Sequence, residues 1–160
     1  MSDTEIARLR EHYGWYLPIP TRWMDNDIYG HVNNVNYYSY FDTVANAFMI
    51  EQCGLDPHNG EHAGYIVHSE CNYKRGITFP EKLEGGLRVN RLGNSSVQWG
   101  IGIFKEGEAL ASAYGTFTHV LVDRATEKSV PIPEHMRGPM QAIAKDRFCS
   151  AIESGLPEPS

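Results

Sequence analysis

The sequence predicts an α+β domain, on three observations. Residues 35–53 carry apolar side chains at helical spacing around most of one long helix. Beyond residue 64 the apolar period changes from helical to two. Strand then follows strand with short turns and no helix between, the pattern of an antiparallel meander. A twisted sheet curled around one apolar helix satisfies all three.

Each element has its own signal. Ser2 with Glu5 three residues later fits a capping box for a short first helix. Residues 15–23 alternate Leu17, Ile19, Thr21 and Trp23, and Pro18 with Pro20 restricts that strand to an edge or an irregular pairing. In the helix, Tyr37, Phe41, Val44 and Phe48 follow helical spacing, while Ser39, Asp42, Thr43 and Asn46 form one narrow polar stripe. Such a helix should be buried on most sides. Asn33 or Asn34 can cap its start, and Gly54 is placed to end it. Tyr65, Val67, Ser69, Cys71 and Tyr73 share one face of the next strand, and Leu83, Leu87 and Val89 mark another. Val97, Trp99, Ile101 and Ile103 mark a third, and a fourth runs from Ala109 to Asp123. Gly93-Asn94 and Glu106-Gly107 supply turns between the last three. After a loop from Lys128, Pro139 opens a last helix over about 139–153, with Ala144, Phe148 and Ile152 as its stripe.

The 160 residues form one domain, with a core over about 14–125. A net charge of −6 excludes broad nucleic-acid binding, which needs a basic face. No run reaches the ~20 apolar residues of a membrane span, and the first residues lack the apolar stretch of a signal peptide. Three scattered cysteines are neither a disulfide framework nor a metal knuckle, which points to a reducing cytoplasm. Outer strands left exposed invite edge-to-edge pairing, so a homodimer or homotetramer is expected.

Chemistry concentrates in Arg22 to Asp42, RWMDNDIYGHVNNVNYYSYFD. Asp25, Asp27 and His31 crowd a loop that leads into the start of the long helix. A helix start offers unpaired N–H groups and a positive dipole end, which can polarise a carbonyl. A carboxylate beside it can attack that carbonyl or activate water. Gly30 lets the chain turn tightly between the two. Asp25 reads as structural, pairing with Arg22. Asp25, Asp27 and His31 are also metal-ligand types, but no second ligand cluster accompanies them, so no metal is expected.

The same stretch resembles the 4-hydroxybenzoyl-CoA thioesterase-like branch of the hotdog superfamily. The matching pattern is Arg22-Trp23, Asp25-x-Asp27, Gly30-His31-Val32-Asn33-Asn34, Tyr37 and Tyr40-Phe41. The resemblance implies a hotdog fold and hydrolysis of an acyl-CoA to free acid and CoA, without a cofactor. It implies Asp27 as the catalytic carboxylate, nucleophile or general base. The backbone N–H near Asn34 matches the group that binds the thioester carbonyl, and His31 would orient water or the loop. Gly30 and Asn33 would shape the substrate site, and Tyr37 and Phe41 would line the acyl pocket or the core. Arg75, Arg88 and Arg91 are candidates for the nucleotide end of CoA. An acyl carrier protein could replace CoA. Two rivals share the fold: a binder of acyl thioesters that does not cleave them, and a hydratase.

Overall fold

A computed structural model describes residues 3–145. Its elements run α1 (Asp3–Arg8), β1 (Trp15–Pro20), α2 (Asn34–Cys53), β2 (His62–Tyr73), β3 (Lys82–Leu92), β4 (Ser96–Lys105), β5 (Ala113–Asp123) and α3 (Glu134–Ala142), with a 3-10 turn at Trp23–Asp25. The five strands make one antiparallel sheet in the order β1-β3-β4-β5-β2. This is the hotdog arrangement, and α2 is the helix it wraps.

The apolar period decides which face meets α2. Leu83, Leu87, Val89, Trp99, Ile101 and Ile103 all point inward and are buried with Phe41, Val44 and Phe48 of the helix. The approach is close: a Cβ on Gly85 would lie 2.3 Å from Val44 Cγ2, so glycine is required there. Asn33 caps the helix, accepting from Val35 N–H at 3.0 Å, and Gly54 ends it with φ 71°. The outer face of the sheet is covered by the chain's start. Tyr13 meets Phe104 edge-on at 5.7 Å between ring centres, over Gly86 and Gly102.

Several expectations are corrected. The first strand stops at Pro20, not residue 23, because Thr21 turns its hydroxyl to Glu81 C=O at 2.6 Å and Trp23 enters the 3-10 turn. Only β3-β4-β5 is a meander. The link at residues 74–81 carries the chain from β2 at one edge to β3, past two strands. That crossing of about 14 Å is within the reach of eight residues. In β2 a bulge between Ile66 and His68 breaks the alternation, so Gly64 and Ile66, not Tyr65, share the inner face with Ser69, Cys71 and Tyr73. Residues 109–112 lie outside the last strand, which begins at Ala113. The helix expected from Pro139 starts at Glu134 after Pro133, and Pro139 lies inside it. Met136 and Met140 form its buried side, whereas Phe148, Ile152 and the Ser2 capping box lie outside the described residues.

One side of α2 is uncovered in the single chain, where Val35, Tyr38, Ser39, Asp42 and Thr43 are exposed. The inner face of β2 beside it is open too, and Ile66 and Tyr73 are nearly half exposed at 44% and 46%.

Ser112 is the cost within the core. Its hydroxyl is fully buried and, among the described residues, has no hydrogen-bond partner. Burying an unpaired hydroxyl costs about 1–3 kcal/mol. Ser112→Ala is expected to stabilise the fold by about 1 kcal/mol in urea unfolding. A loss of stability would show that the hydroxyl is bonded after all.

Candidate functional site

Asp25 is the anchor of the site. Its carboxylate is buried and accepts from Arg22 N–H at 2.9 Å, Arg22 Nε at 3.0 Å and Tyr40 OH at 2.8 Å. Arg22 Nη2 closes the ion pair at 2.8 Å. The Asp25 carbonyl accepts from Asn33 N–H at 2.8 Å and Asn36 Nδ2 at 3.0 Å. One residue thus fixes the 3-10 turn against the first turns of α2. Burial alone would raise the Asp25 pKa, but the bonds from Arg22 and Tyr40 outweigh it and hold the carboxyl below its ordinary value.

From this anchor the chain makes a small hairpin. Asn26 pairs with Val32, Asp27 N–H donates to His31 C=O at 2.9 Å, and Gly30 N–H donates to Asp27 C=O at 3.1 Å. The turn needs the left-handed backbone that Gly30 supplies at φ 82°. Residues 76–81 brace it from below. Val32 N–H donates to Ile77 C=O at 2.7 Å, Phe79 N–H to Asn26 Oδ1 at 3.1 Å, and Thr78 Oγ1 to Gly30 C=O. Sequence reading missed this brace, since nothing in the run Gly76 to Glu81 marks it as a partner of the loop.

Asp27 sits half-buried at the head of the hairpin. Its Oδ1 accepts from Tyr29 N–H at 2.8 Å, and among the described residues nothing donates to Oδ2. The first N–H of α2, on Asn34, likewise has no acceptor there: Asn33 Oδ1 takes Val35 N–H, and Asn33 C=O takes Asn36 N–H at 2.9 Å. The Asn34 carbonyl accepts from Tyr73 OH at 3.5 Å, which ties the helix start to β2. His31 is exposed and lies against Gly76, where a Cβ would be 2.8 Å from its Cδ2. The corner therefore presents an available carboxylate oxygen and an available N–H donor, seven residues apart in the chain.

The other expected residues are placed as follows. Tyr37 and Phe41 are core side chains, Tyr37 edge-on to Tyr73 at 4.9 Å. Burial pushes the Tyr37 hydroxyl up to about 12. Tyr38, on the uncovered side of α2, stacks on Phe117 at 6.1 Å. Of the three arginines, Arg75 alone lies at this end. It is exposed, next to Gly76 and 3.8 Å from Glu108. Arg91 is exposed at the far end of β3, about 30 Å along the strand from Lys82. Arg88 is buried on the outer face of the sheet, bonded to Asn90 Oδ1 and His12 C=O. Among the described residues no three His, Cys, Asp or Glu side chains converge as a metal set.

Residues 29–112 match the family described as the thioesterase superfamily. The PA5185 protein of Pseudomonas aeruginosa is 50% identical, with a TM-score of 0.84 over 86% of this chain and 96% of that one. Slr0204 of Synechocystis, a 1,4-dihydroxy-2-naphthoyl-CoA thioesterase, shares the fold at a TM-score of 0.70 and 15% identity, over 79% of this chain and 94% of that one. The uncharacterized protein YsmA of Bacillus subtilis is 22% identical over 59% of this chain. That match spans 64% of the Bacillus protein, just under two thirds of its length.

Proposed function

We propose, from the premise that this chain belongs to the thioesterase superfamily, that it hydrolyses an acyl-CoA to the free acid and CoA. The observation that carries this reading is the corner where, among the described residues, neither Asp27 Oδ2 nor the Asn34 N–H has a partner. Asn34 N–H donates to the thioester carbonyl oxygen at the positive end of α2 and stabilises the oxyanion as it forms. Asp27 attacks the carbonyl carbon or takes a proton from the water that does. The thiolate of CoA leaves readily, so no strong general acid is needed. His31 stands at the mouth of the hairpin as a positioning group for water. Arg75, the arginine at this end, pairs with a phosphate of CoA. The acyl group lies in the groove between Tyr38 and the inner face of β2.

That groove is open in the single chain, and β2 has a neighbour on one side only. A second copy paired along this edge covers both, so the working unit is a homodimer or a dimer of dimers. Among the described residues Cys53 and Cys71 are unpaired thiols, which suits a reducing cytoplasm. Among the described residues no helix is long and apolar enough to cross a membrane.

Thiol release from short, medium, long and aryl acyl-CoAs, with an acyl carrier protein thioester beside them, tests the reading. Turnover on at least one member is expected, from a species that sediments as a dimer or larger. Tight acyl-CoA binding without release on any member would make the protein a binder. A 3-hydroxyacyl thioester as product would make it a hydratase.

A further inference from the structure

In the link between β2 and β3, Gly76 is pinned on both sides. Arg75 N–H donates to Ser112 C=O at 3.0 Å, and Ile77 C=O accepts from Val32 N–H at 2.7 Å. The φ of Gly76 lies outside the left-handed region, so its backbone does not require glycine. It is also exposed, so no crowded core requires one. A side chain there would meet one residue first. The three atoms nearest a Cβ on Gly76 are His31 Cδ2 at 2.8 Å, Nε2 at 3.2 Å and Cγ at 3.6 Å. The backbone around His31 is fixed as well. Its C=O accepts from Asp27 N–H at 2.9 Å, Gly30 C=O accepts from Thr78 Oγ1, and Val32 N–H is spent on Ile77. Only the two side-chain torsions of His31 stay soft. Among the described residues no hydrogen bond reaches its ring, and the Cδ2–Nε2 edge rests on the bare backbone of Gly76.

We propose that Gly76 is a positioning residue: its missing side chain makes a shelf that fixes the His31 imidazole at the mouth of the catalytic hairpin. The inference rests on the reading of His31 as the group that places the attacking water. A methyl group on the shelf cannot be met by the backbone, which is tied on both sides. It is met by the ring, the exposed end of a side chain, which turns about its own torsions and leaves the fold intact. Water held by the ring moves with it. A displacement of about 1 Å in a group that sets reaction geometry can cost up to about a hundredfold in rate. The glycine therefore acts on the reaction only through His31, and that dependence separates it from a glycine that serves the fold.

Steady-state kinetics of the full chain on its best acyl-CoA, for Gly76→Ala, His31→Ala and the two combined, test the shelf. Gly76→Ala is expected to lower kcat about tenfold, with KM within about twofold and the melting temperature unchanged. Added to His31→Ala, the same substitution is expected to change nothing, because the group it displaces is gone. In the proton–carbon NMR spectrum, the imidazole signal that disappears in His31→Ala is expected to shift in Gly76→Ala, while those of the other histidines stay in place. Equal losses of kcat, or of the fold, in both backgrounds would make Gly76 a structural glycine and overturn the proposal. An unchanged kcat or an unmoved His31 signal in Gly76→Ala would overturn it too. A wild type that turns over no acyl-CoA, with the His31 signal still shifting in Gly76→Ala, would support the shelf and overturn the thioesterase reading instead.

Discussion

Asp27→Asn is expected to cut turnover of the best acyl-CoA by about two orders of magnitude or more, with the melting temperature unchanged. The two oxygens of Asp27 do different things, which makes the substitution clean. Oδ1 accepts from Tyr29 N–H and shapes the turn, and an asparagine carbonyl can keep that bond. Among the described residues nothing donates to Oδ2, which leaves that oxygen open to a substrate or a water. A hundredfold loss corresponds to about 2.7 kcal/mol of transition-state stabilisation. Equal rates for the two proteins would remove Asp27 from the mechanism. The same pair of proteins can separate the two routes. In a single turnover in 18O water, general-base catalysis puts solvent oxygen in the free acid. A nucleophilic Asp27 forms a mixed anhydride, and water attack at its own carbonyl delivers an unlabelled oxygen to the acid.

The two aspartates show what the sequence could say about this site. Both stand in one loop, and the pattern around them marks Asp27 as the candidate catalytic carboxylate and Asp25 as the partner of Arg22. The structure gives the two carboxylates different surroundings. Asp25 is buried beneath Tyr40 and Arg22, whereas Asp27 stands at the head of the hairpin. Tyr40 was legible as an aromatic of the matching pattern but not as a donor to Asp25, because that partner lies fifteen residues away. The helix itself was readable to within a residue, since its caps are local signals at Asn33 and Gly54.

Features set by pairing were not readable. The β2 bulge depends on the register with β5, which no property of the run Tyr65 to Tyr73 reveals. Strand order was hidden for the same reason: alternation marks which residues share a face, not which strand lies next door. Arg88 is the instructive case. Its place between Leu87 and Val89 already puts it on the face away from the helix. What covers that face comes from the start of the chain, and so the arginine is buried instead of reaching for a nucleotide. The last helix was read as opening at Pro139, but it starts at Glu134 with Pro133 as its N-cap.

Asp25→Asn is expected to cost about 3 kcal/mol of stability at pH 7, the largest structural effect of any single change at the site. An amide can accept through one oxygen only, and its NH2 would face donors that now point at a carboxylate: Arg22 N–H, the guanidinium and Tyr40 OH. Arg22 is well exposed, with 59% of its side chain in solvent, so its own loss is small. The cost lies with the buried donors. Tyr40→Phe, which removes one of them, should lose about 1–2 kcal/mol. The pH dependence carries the sign of a depressed carboxyl. The stability due to Asp25 is fully present above its ordinary pKa of 3.8 and disappears as pH falls through the lower folded value. Urea unfolding at pH 7 and pH 3 should therefore show the gap between wild type and Asp25→Asn narrowing in acid. Asp56 and Asp123, held low by backbone N–H groups of their own turns, leave both proteins a shared residual slope. A gap that stays constant with pH would mean that the variant's cost is one of packing and not of charge. Activity should follow stability only in part. The hairpin that carries Asp27 hangs from the Asp25 carbonyl as well as from its carboxylate, so a folded Asp25→Asn protein keeps the hairpin but holds Asp27 less firmly. Its kcat should fall by less than that of Asp27→Asn.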